Sequence, residues 1–416
     1  MATFETDKEQ GTTRVGKLTF QSLPGQSYQT PLYTIYTSRG CIPNLTPDNF
    51  KNAIKTDDQS SCIINLNFWD LNENPGEKVL TSYEEHLKQK KSDDIQRPLH
   101  SLLNLKDYPV IVNIRDPQFA QQTCQANDKC PYGDTEMGRR KTNPESFNKL
   151  MQQMKPELLV PLHDASVHDV VHVSIDLPGK EEQRPSKKIL KCVERSKKWI
   201  SQTSTVPNAS NLLFPLVAQT RPESLKQFLD QSELKESYRG VLLGDFGIMP
   251  PNKRSALLKA CIQEVKATKL SKLPLFISGQ DHPYDVLECV QQGVDVFDGV
   301  YPFKVAEFGM ASIYPLQIQQ NQTEMKMNLR DVKFVRDVKP VLEGCGCFTC
   351  KSHTRAYIHH LLNAHEMLAE VLLTILFLMV HSHNVQHYMR FFEAIRKSIS
   401  SGTFEEYKNT FIKNTI

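Results

Sequence analysis

Short apolar runs alternate with longer amphipathic stretches along most of the chain. The runs Leu32–Tyr36, Cys62–Phe68, Pro109–Ile114, Leu158–Leu162, Leu212–Val217, Gly240–Leu243, Pro274–Ile277 and Val294–Phe297 are short and apolar, which predicts strands. Between several of them, helix-like patterns occupy Pro144–Met154, behind an Asn143 cap, and Ser186–Ser201, Pro222–Ser237, Asn252–Thr268 and Pro283–Gln292. The strands are continuous apolar runs rather than alternating ones, as suits a parallel sheet covered by helices. Repeated βα units of this kind predict an α/β fold, a (β/α)8 TIM-like barrel, with a doubly wound open sheet as second choice.

Three stretches break the rhythm. Asn72–His100 is charged and poor in β-branched residues, Gln121–Thr142 is polar with Pro131, Gly133 and Gly138, and Gln317–Pro340 is similar. All three read as loops or insertions over the barrel. The expected division is a barrel with insertions over residues 1–340 and a helical subdomain over 341–416. One run in that subdomain, Val371–Val380, is greasy, but it falls short of the ~20 residues a bilayer span needs and ends at His381 and His383. It reads as a buried helix.

Composition adds limits. A hydrophobic content of 39% with 23% charged residues is that of a soluble globular protein, and a net charge of +3 gives no argument for nucleic-acid binding. The basic pairs Lys187-Lys188 and Lys197-Lys198 suit phosphate contacts, and suit a solvated helix face better. Seven of the ten cysteines are scattered, unlike a secreted disulfide scaffold, and Met1–Gln10 lacks the features of a signal or transit peptide. A reducing, cytoplasmic setting is expected.

The other three cysteines lie together in Gly344-Cys345-Gly346-Cys347-Phe348-Thr349-Cys350. Zinc prefers four soft or borderline ligands in a tetrahedron, so three close thiolates call for one more ligand. No cysteine follows. The candidates are His353, His359, His360, His365, His381, His383 and His387, among which spacing does not choose. A redox pair of Cys347 and Cys350 is the weaker reading, because Cys345 is superfluous to it and no strand precedes the motif. Four filled positions make such a zinc structural, so 341–416 is expected to be a zinc-binding subdomain. At the predicted strand ends stand Asp164, Asp245 and Asp298, where barrel enzymes place working residues; helix capping is the plainer role for each. Gly279, Gly299 and Gly309 near these ends permit close backbone approach.

The run Cys345–Cys350, then Ser352-His-Thr-Arg-Ala-Tyr-Ile-His-His-Leu-Leu362, Leu372-Leu-Thr374 and His383-Asn384, resembles the zinc segment of the tRNA-guanine transglycosylase, or queuine tRNA-ribosyltransferase, family. Looser similarity continues through Gly293–Asp298, Gly240–Gly244 and Thr30–Tyr36. Tyr33–Ser38, Ile277–Gly279, Asp285–Cys289 and Tyr301–Val305 are more similar to the eukaryotic accessory subunit than to the catalytic one. The catalytic string Asp-Ser-Gly-Gly-Phe-Gln is missing, and Pro302-Phe303-Lys304 replaces a Pro-Thr-Arg that helps read tRNA. Asp298 falls where catalytic members keep their nucleophile, without the acid/base partner. In the family His-Asn follows Leu-Leu-Thr almost at once; here Ile375–Ser382 intervenes, close to two helical turns.

The resemblance therefore implies one structural zinc on Cys345, Cys347, Cys350 and His383, with His381 as the alternative fourth ligand. It implies no catalytic or other cofactor-binding residue. It further implies a non-catalytic accessory subunit that, as a heterodimer with a catalytic subunit, exchanges guanine for queuine at the wobble position of tRNAs with GUN anticodons. Such a subunit would meet tRNA through the complex. No membrane segment of its own is expected, and the setting would be the cytoplasm, with room for peripheral association with the mitochondrial outer membrane. A zinc-stabilised tRNA-binding scaffold without a role in exchange is the second reading, and a self-sufficient enzyme using Asp298 the third.

Overall fold

The computed structural model describes the chain apart from residues 54–61, 120–125, 136, 165–186, 204–210, 218–228, 230–235, 245, 247–250, 318–322, 364–368 and 416. Strands β1 (Ala2–Gln10), β2 (Thr13–Phe20) and β3 (Ser27–Thr30) form an antiparallel sheet. Eight parallel strands then close a barrel: β4 (Leu32–Tyr36), β5 (Ile63–Asn67), β6 (Val110–Asn113), β9 (Leu158–Leu159), β10 (Leu212–Val217), β11 (Tyr238–Gly244), β12 (Leu275–Ile277) and β13 (Val296–Gly299). The hairpin β7 (Tyr132–Thr135) and β8 (Gly138–Lys141) lies between β6 and β9, and β14 (Met310–Ser312) pairs with β15 (Lys326–Asn328) beyond the barrel. Closure is made by β13 on β4, with Val296 opposite Leu32 and Asp298 opposite Thr34. Each of the eight predicted strands is a stave of this barrel.

Alternation along the staves sets what lies inside. Leu32, Ile63, Ile111, Leu158, Leu213, Leu242, Phe276 and Val296, one from every strand, form a buried apolar layer with Leu18, Phe20 and Tyr28 of the N-terminal sheet. One pleat further along each strand, the same inward face carries Thr34, Asn65 and Asn113, and then Asn67, all buried. The barrel is thus apolar at its floor and polar at its mouth. Outward residues such as Tyr33, Ile35, Ile64, Leu66, Val110 and Val112 join the larger core beneath the helices.

The helices expected over Pro144–Met154, Ser186–Ser201, Asn252–Thr268 and Pro283–Gln292 are present as Pro144–Met154, Lys187–Thr203, Pro251–Lys266 and Pro283–Gln291, while most of Pro222–Ser237 lies outside the described residues. Asn143 caps the first of them by accepting from Ser146 N at 2.8 Å. Two expectations need correction. Asn72–His100 is helical, with helices Gly76–Gln89 and Pro98–Leu102, because its charges sit on the solvent side while Leu80 and Leu87 are buried. The three-stranded N-terminal sheet was not foreseen either; its outermost strand, β1, is mostly exposed and polar.

A helix over Ala369–Ser401 runs the length of the C-terminal region. Its Tyr388 and Phe392 rings meet Tyr33 with centroids 4.6 and 5.4 Å away, and the Tyr33 hydroxyl donates to the Val385 carbonyl at 3.0 Å. Arg396 donates to the Pro31 carbonyl at 2.8 Å. Just beyond, Gln10 Nε2 reaches the Gly402 carbonyl at 3.0 Å and Lys8 reaches that of Ser400. No helix among the described residues is long and apolar enough to cross a membrane.

Candidate metal centre and the barrel mouth

The loop ahead of the short helix Phe348–Ser352 carries Cys345 and Cys347 to the same point as Cys350 within that helix, with Cys350 N–H donating to Cys347 Sγ at 3.2 Å. The long helix brings His383 to the same point. Its Nδ1 lies 3.8 Å from Cys345 Sγ and 3.4 Å from both Cys347 Sγ and Cys350 Sγ, and all four ligand atoms fall within 4.8 Å of one another. One nitrogen cannot hold three hydrogen bonds to three sulfurs with a single proton. A tetrahedral zinc, with bonds of about 2.3 Å to sulfur and about 2.0–2.1 Å to nitrogen, would separate nitrogen from each sulfur by about 3.6 Å. The donor set fits such an ion.

The outer contacts favour the same arrangement. His383 Nε2 donates to the Ser312 carbonyl at 2.9 Å, which puts the ring proton there and turns the Nδ1 lone pair to the sulfurs. Neighbouring Asn384 takes the backbone N–H of that residue, its Oδ1 accepting from Ser312 N at 2.8 Å. Arg390 Nη1 lies 3.9 Å from Cys345 Sγ, a positive charge beside a thiolate-rich cluster. As bare side chains, Cys345, Cys350 and His383 have their protonation disturbed by the cluster. Hydrogen bonds with Cys347 and Cys350 pull the Cys345 thiol far below its ordinary range, and those with Cys345 and Cys347 drive the Cys350 thiol far above it. Burial opposes charge on His383, yet its contacts with Cys345 and Cys347 raise it to about 10.

The other candidate histidines turn elsewhere. His381 Nδ1 faces the Pro43 carbonyl at 2.8 Å, and burial lowers its pKa to about 4. His359 faces the Leu329 carbonyl at 2.9 Å, His387 Nε2 that of Tyr314 at 3.0 Å, and His353 stacks on Tyr357. His360 is exposed, and His365 lies outside the described residues. Ile375–Ser382 is continuous with the long helix, whose backbone runs unbroken to His383.

At the barrel mouth, Asp298 ends β13, buried and fully engaged. Its Oδ2 accepts from Ser278 Oγ at 2.6 Å and from Gly279 N at 3.0 Å, and its Oδ1 from Asn65 Nδ2 at 3.3 Å. Burial raises its pKa to about 6 against the pull of Ser278 and Gly279. Close approach fixes the glycine beside it, since a Cβ on Gly299 would lie 2.0 Å from the Thr34 carbonyl oxygen. Asp164 turns outward instead, to Arg195 at 3.1 Å, and Asp245 lies outside the described residues. Lys304 lies 3.8 Å from Asp281, and Phe303 packs between Tyr36 and His381, with centroids 5.5 and 5.8 Å away.

Sequence reasoning missed Asp116. It follows β6 at the same end of the barrel, its Oδ1 accepts from Gln118 N at 2.8 Å, and burial raises its pKa to about 6. The Tyr36 hydroxyl stands 3.4 Å from its Oδ2. Asn65, Asn67 and Asn113 were missed with it. The signal was present: each is a polar residue in an otherwise apolar strand, and Asp116 comes directly after one.

A closed parallel barrel with a Cys3His cluster, completed from a long C-terminal helix, defines a class of metal-site (β/α)8 proteins. Residues 8–415 match the family described as queuine tRNA-ribosyltransferase, and the chain belongs to that family. It is 27% identical over 399 residues to "Queuine tRNA-ribosyltransferase accessory subunit 2" of Anopheles gambiae, covering 93% of this chain and 84% of the relative. The Xenopus tropicalis protein of that name is 26% identical over 415 residues, 91% of each chain. The human one is 25% identical over 437 aligned positions, 95% of each.

Proposed function

We propose that this chain is the accessory, non-catalytic subunit of a queuine tRNA-ribosyltransferase, pairing as a heterodimer with a catalytic subunit to exchange guanine for queuine at the wobble position of tRNA. The observation that carries the reading is the state of Asp298. Glycosyl exchange needs a carboxylate free to attack the sugar carbon and a second group to handle the proton of the departing base. Here both oxygens of Asp298 are taken by Asn65, Ser278 and the Gly279 N–H. At the same end of the barrel, half-buried Asp116 accepts from Gln118 N, and buried Asp164 is paired with Arg195. Full-length similarity to relatives named as accessory subunits supports the same reading.

Cys345, Cys347, Cys350 and His383 are assigned as ligands of one zinc ion, and no described residue is assigned a catalytic role. Bound there, zinc would supply a four-bond crosslink with no open position for water or substrate. The surrounding residues do the rest. His383 and Asn384 fix the long helix to β14 through both backbone polar groups of Ser312, and Thr349 Oγ1 donates to the Met379 carbonyl at 2.6 Å, fixing the cysteine segment to the same helix. The subdomain over 341–416 is read as this assembly, and the complex is placed in the cytoplasm.

The test is incorporation of labelled guanine or queuine into tRNA by the purified chain, alone and mixed with a catalytic subunit. Incorporation only in the mixture is expected. Incorporation by this chain alone would restore Asp298 as a nucleophile, and no effect in either case would favour the scaffold reading. For the metal, His383→Ala is expected to lower zinc content from one per chain to near zero, measured by elemental analysis. Unchanged content would move the fourth ligand to His381.

A further inference from the structure

The helix Lys187–Thr203 carries six lysines and arginines against a single glutamate, a net charge of +5 in a chain whose total is only +3. Residues 187, 191, 195 and 198 fall on one stripe, at successive intervals of about 4.5–6 Å along the axis. Glu194 lies in the same stripe. The opposite face is committed to the core, with Cys192, Ser196, Trp199, Ile200 and Thr203 buried.

Arg195 is the anchor. It pairs with Asp164 at 3.1 Å and donates to the Ala126 carbonyl at 2.7 Å, tying the helix to the segment that leads into β7 and β8. That hairpin adds Arg139, Arg140 and Lys141 along its exposed second strand; Arg140 pairs with Glu73 at 3.4 Å and Asp134 stands opposite Arg139, so Lys141 is the cation it contributes. Lys187, Lys191, Lys198 and Lys141 are exposed and form no ion pair with any described residue. Like charges one turn apart repel, so an anion that bridges them is favoured. Helices of a (β/α)8 barrel begin at the mouth, so Lys187 and Lys191 stand on its rim, on the mouth side of the Asp164 contact.

We propose that this helix and hairpin form a docking face for the phosphate backbone of RNA, held by Lys187, Lys191, Lys198 and Lys141. A row of cations at regular spacing without base-reading groups gives binding that is strong in low salt and indifferent to sequence. An anionic membrane is the lesser occupant, because the apolar face of the helix is packed on the barrel and not free to insert. The inference rests on the accessory-subunit reading for the identity of the RNA as tRNA, and on charge alone for the rest.

The test measures binding of a fluorescent tRNA transcript to the full chain by anisotropy across a salt series. The wild type is compared with Lys141→Gln/Lys187→Gln/Lys191→Gln/Lys198→Gln and with the matching Lys→Arg variant. The Gln variant is expected to bind at least 10-fold more weakly at low salt, with the slope of log K against log salt reduced by about 0.7–0.9 for each phosphate no longer neutralised. The Arg variant should keep both. In the complex with a catalytic subunit, the Gln variant should raise KM for tRNA and leave kcat in place. Unchanged melting temperature and zinc content would show the Gln variant to be folded. Wild-type affinity and salt slope in the Gln variant would overturn the proposal, as would loss of binding only to phosphatidylserine vesicles. Salt-sensitive RNA binding through these lysines without any effect on base exchange would leave this proposal standing and remove the accessory-subunit reading.

Discussion

Asp298 is ordinarily charged at neutral pH once in water, yet its burial raises its pKa to about 6. An unfolded aspartate titrates near 3.9, so between about pH 4 and pH 6 the folded state holds the proton that the unfolded state has lost. This carboxyl therefore favours folding most below about pH 4, and its contribution is withdrawn as pH rises, by up to about 3 kcal/mol above pH 6. Asp298→Asn removes that titration. Its amide oxygen can accept from Ser278 and Gly279, and Asn65, whose Oδ1 has no partner among the described residues, can turn to accept from the new amide. Asp298→Asn is expected to be about 1–3 kcal/mol more stable than wild type at pH 7.5, with the gap closing toward pH 4. Urea denaturation at several pH values reads this directly; a variant less stable at pH 7.5 would mean that the mouth favours the anion. Asp116, also raised to about 6, titrates in the same window, so the wild-type slope is reduced rather than abolished. The position of Asp298 was legible because it ends an apolar run. Its partners were not, since Asn65 and Ser278 reach it only through barrel closure, from 233 and 20 residues away.

Among the elements, the long helix bears most of the C-terminal architecture, and its hold on β14 is concentrated in one dipeptide. Asn384 is fully buried; besides accepting from Ser312 N, it donates to the carbonyls of Met310 at 3.1 Å and Pro302 at 3.3 Å. Asn384→Ala leaves those three buried groups without their partner, and the expected cost is about 3–5 kcal/mol, the low end of 1–3 kcal/mol for each group left unpaired. Equilibrium unfolding of zinc-loaded wild type and variant checks this; a loss under about 1 kcal/mol would mean that water or a shifted backbone replaces the amide. The His-Asn pair was readable as a motif, whereas its hold on a single residue of β14 required the fold. The stretch Asn72–His100 shows the opposite failure. A helix that buries few side chains looks like a loop when its charges are weighed before its period.

For the whole molecule, the barrel was legible because the staves are buried on both sides and so appear as mostly apolar runs, broken only by polar residues toward the mouth such as Asn65, Asn67 and Asn113. The N-terminal sheet was not, because β1 faces solvent and its polar side chains conceal a strand made regular only by pairing with β2. That sheet is also where the two ends of the described chain meet, Gln10 on Gly402 and Lys8 on Ser400, across 392 residues of sequence. At about 5–20 residues per second, a ribosome needs tens of seconds to make the intervening chain. The clasp is made by side chains of β1, so the row of peptide groups along its outer edge is open to another strand before and after it forms. Copies of this protein thus carry an open strand edge from the moment β1 pairs with β2, and the charges of Glu5, Lys8 and Glu9 along it are what discourages a second copy from pairing there.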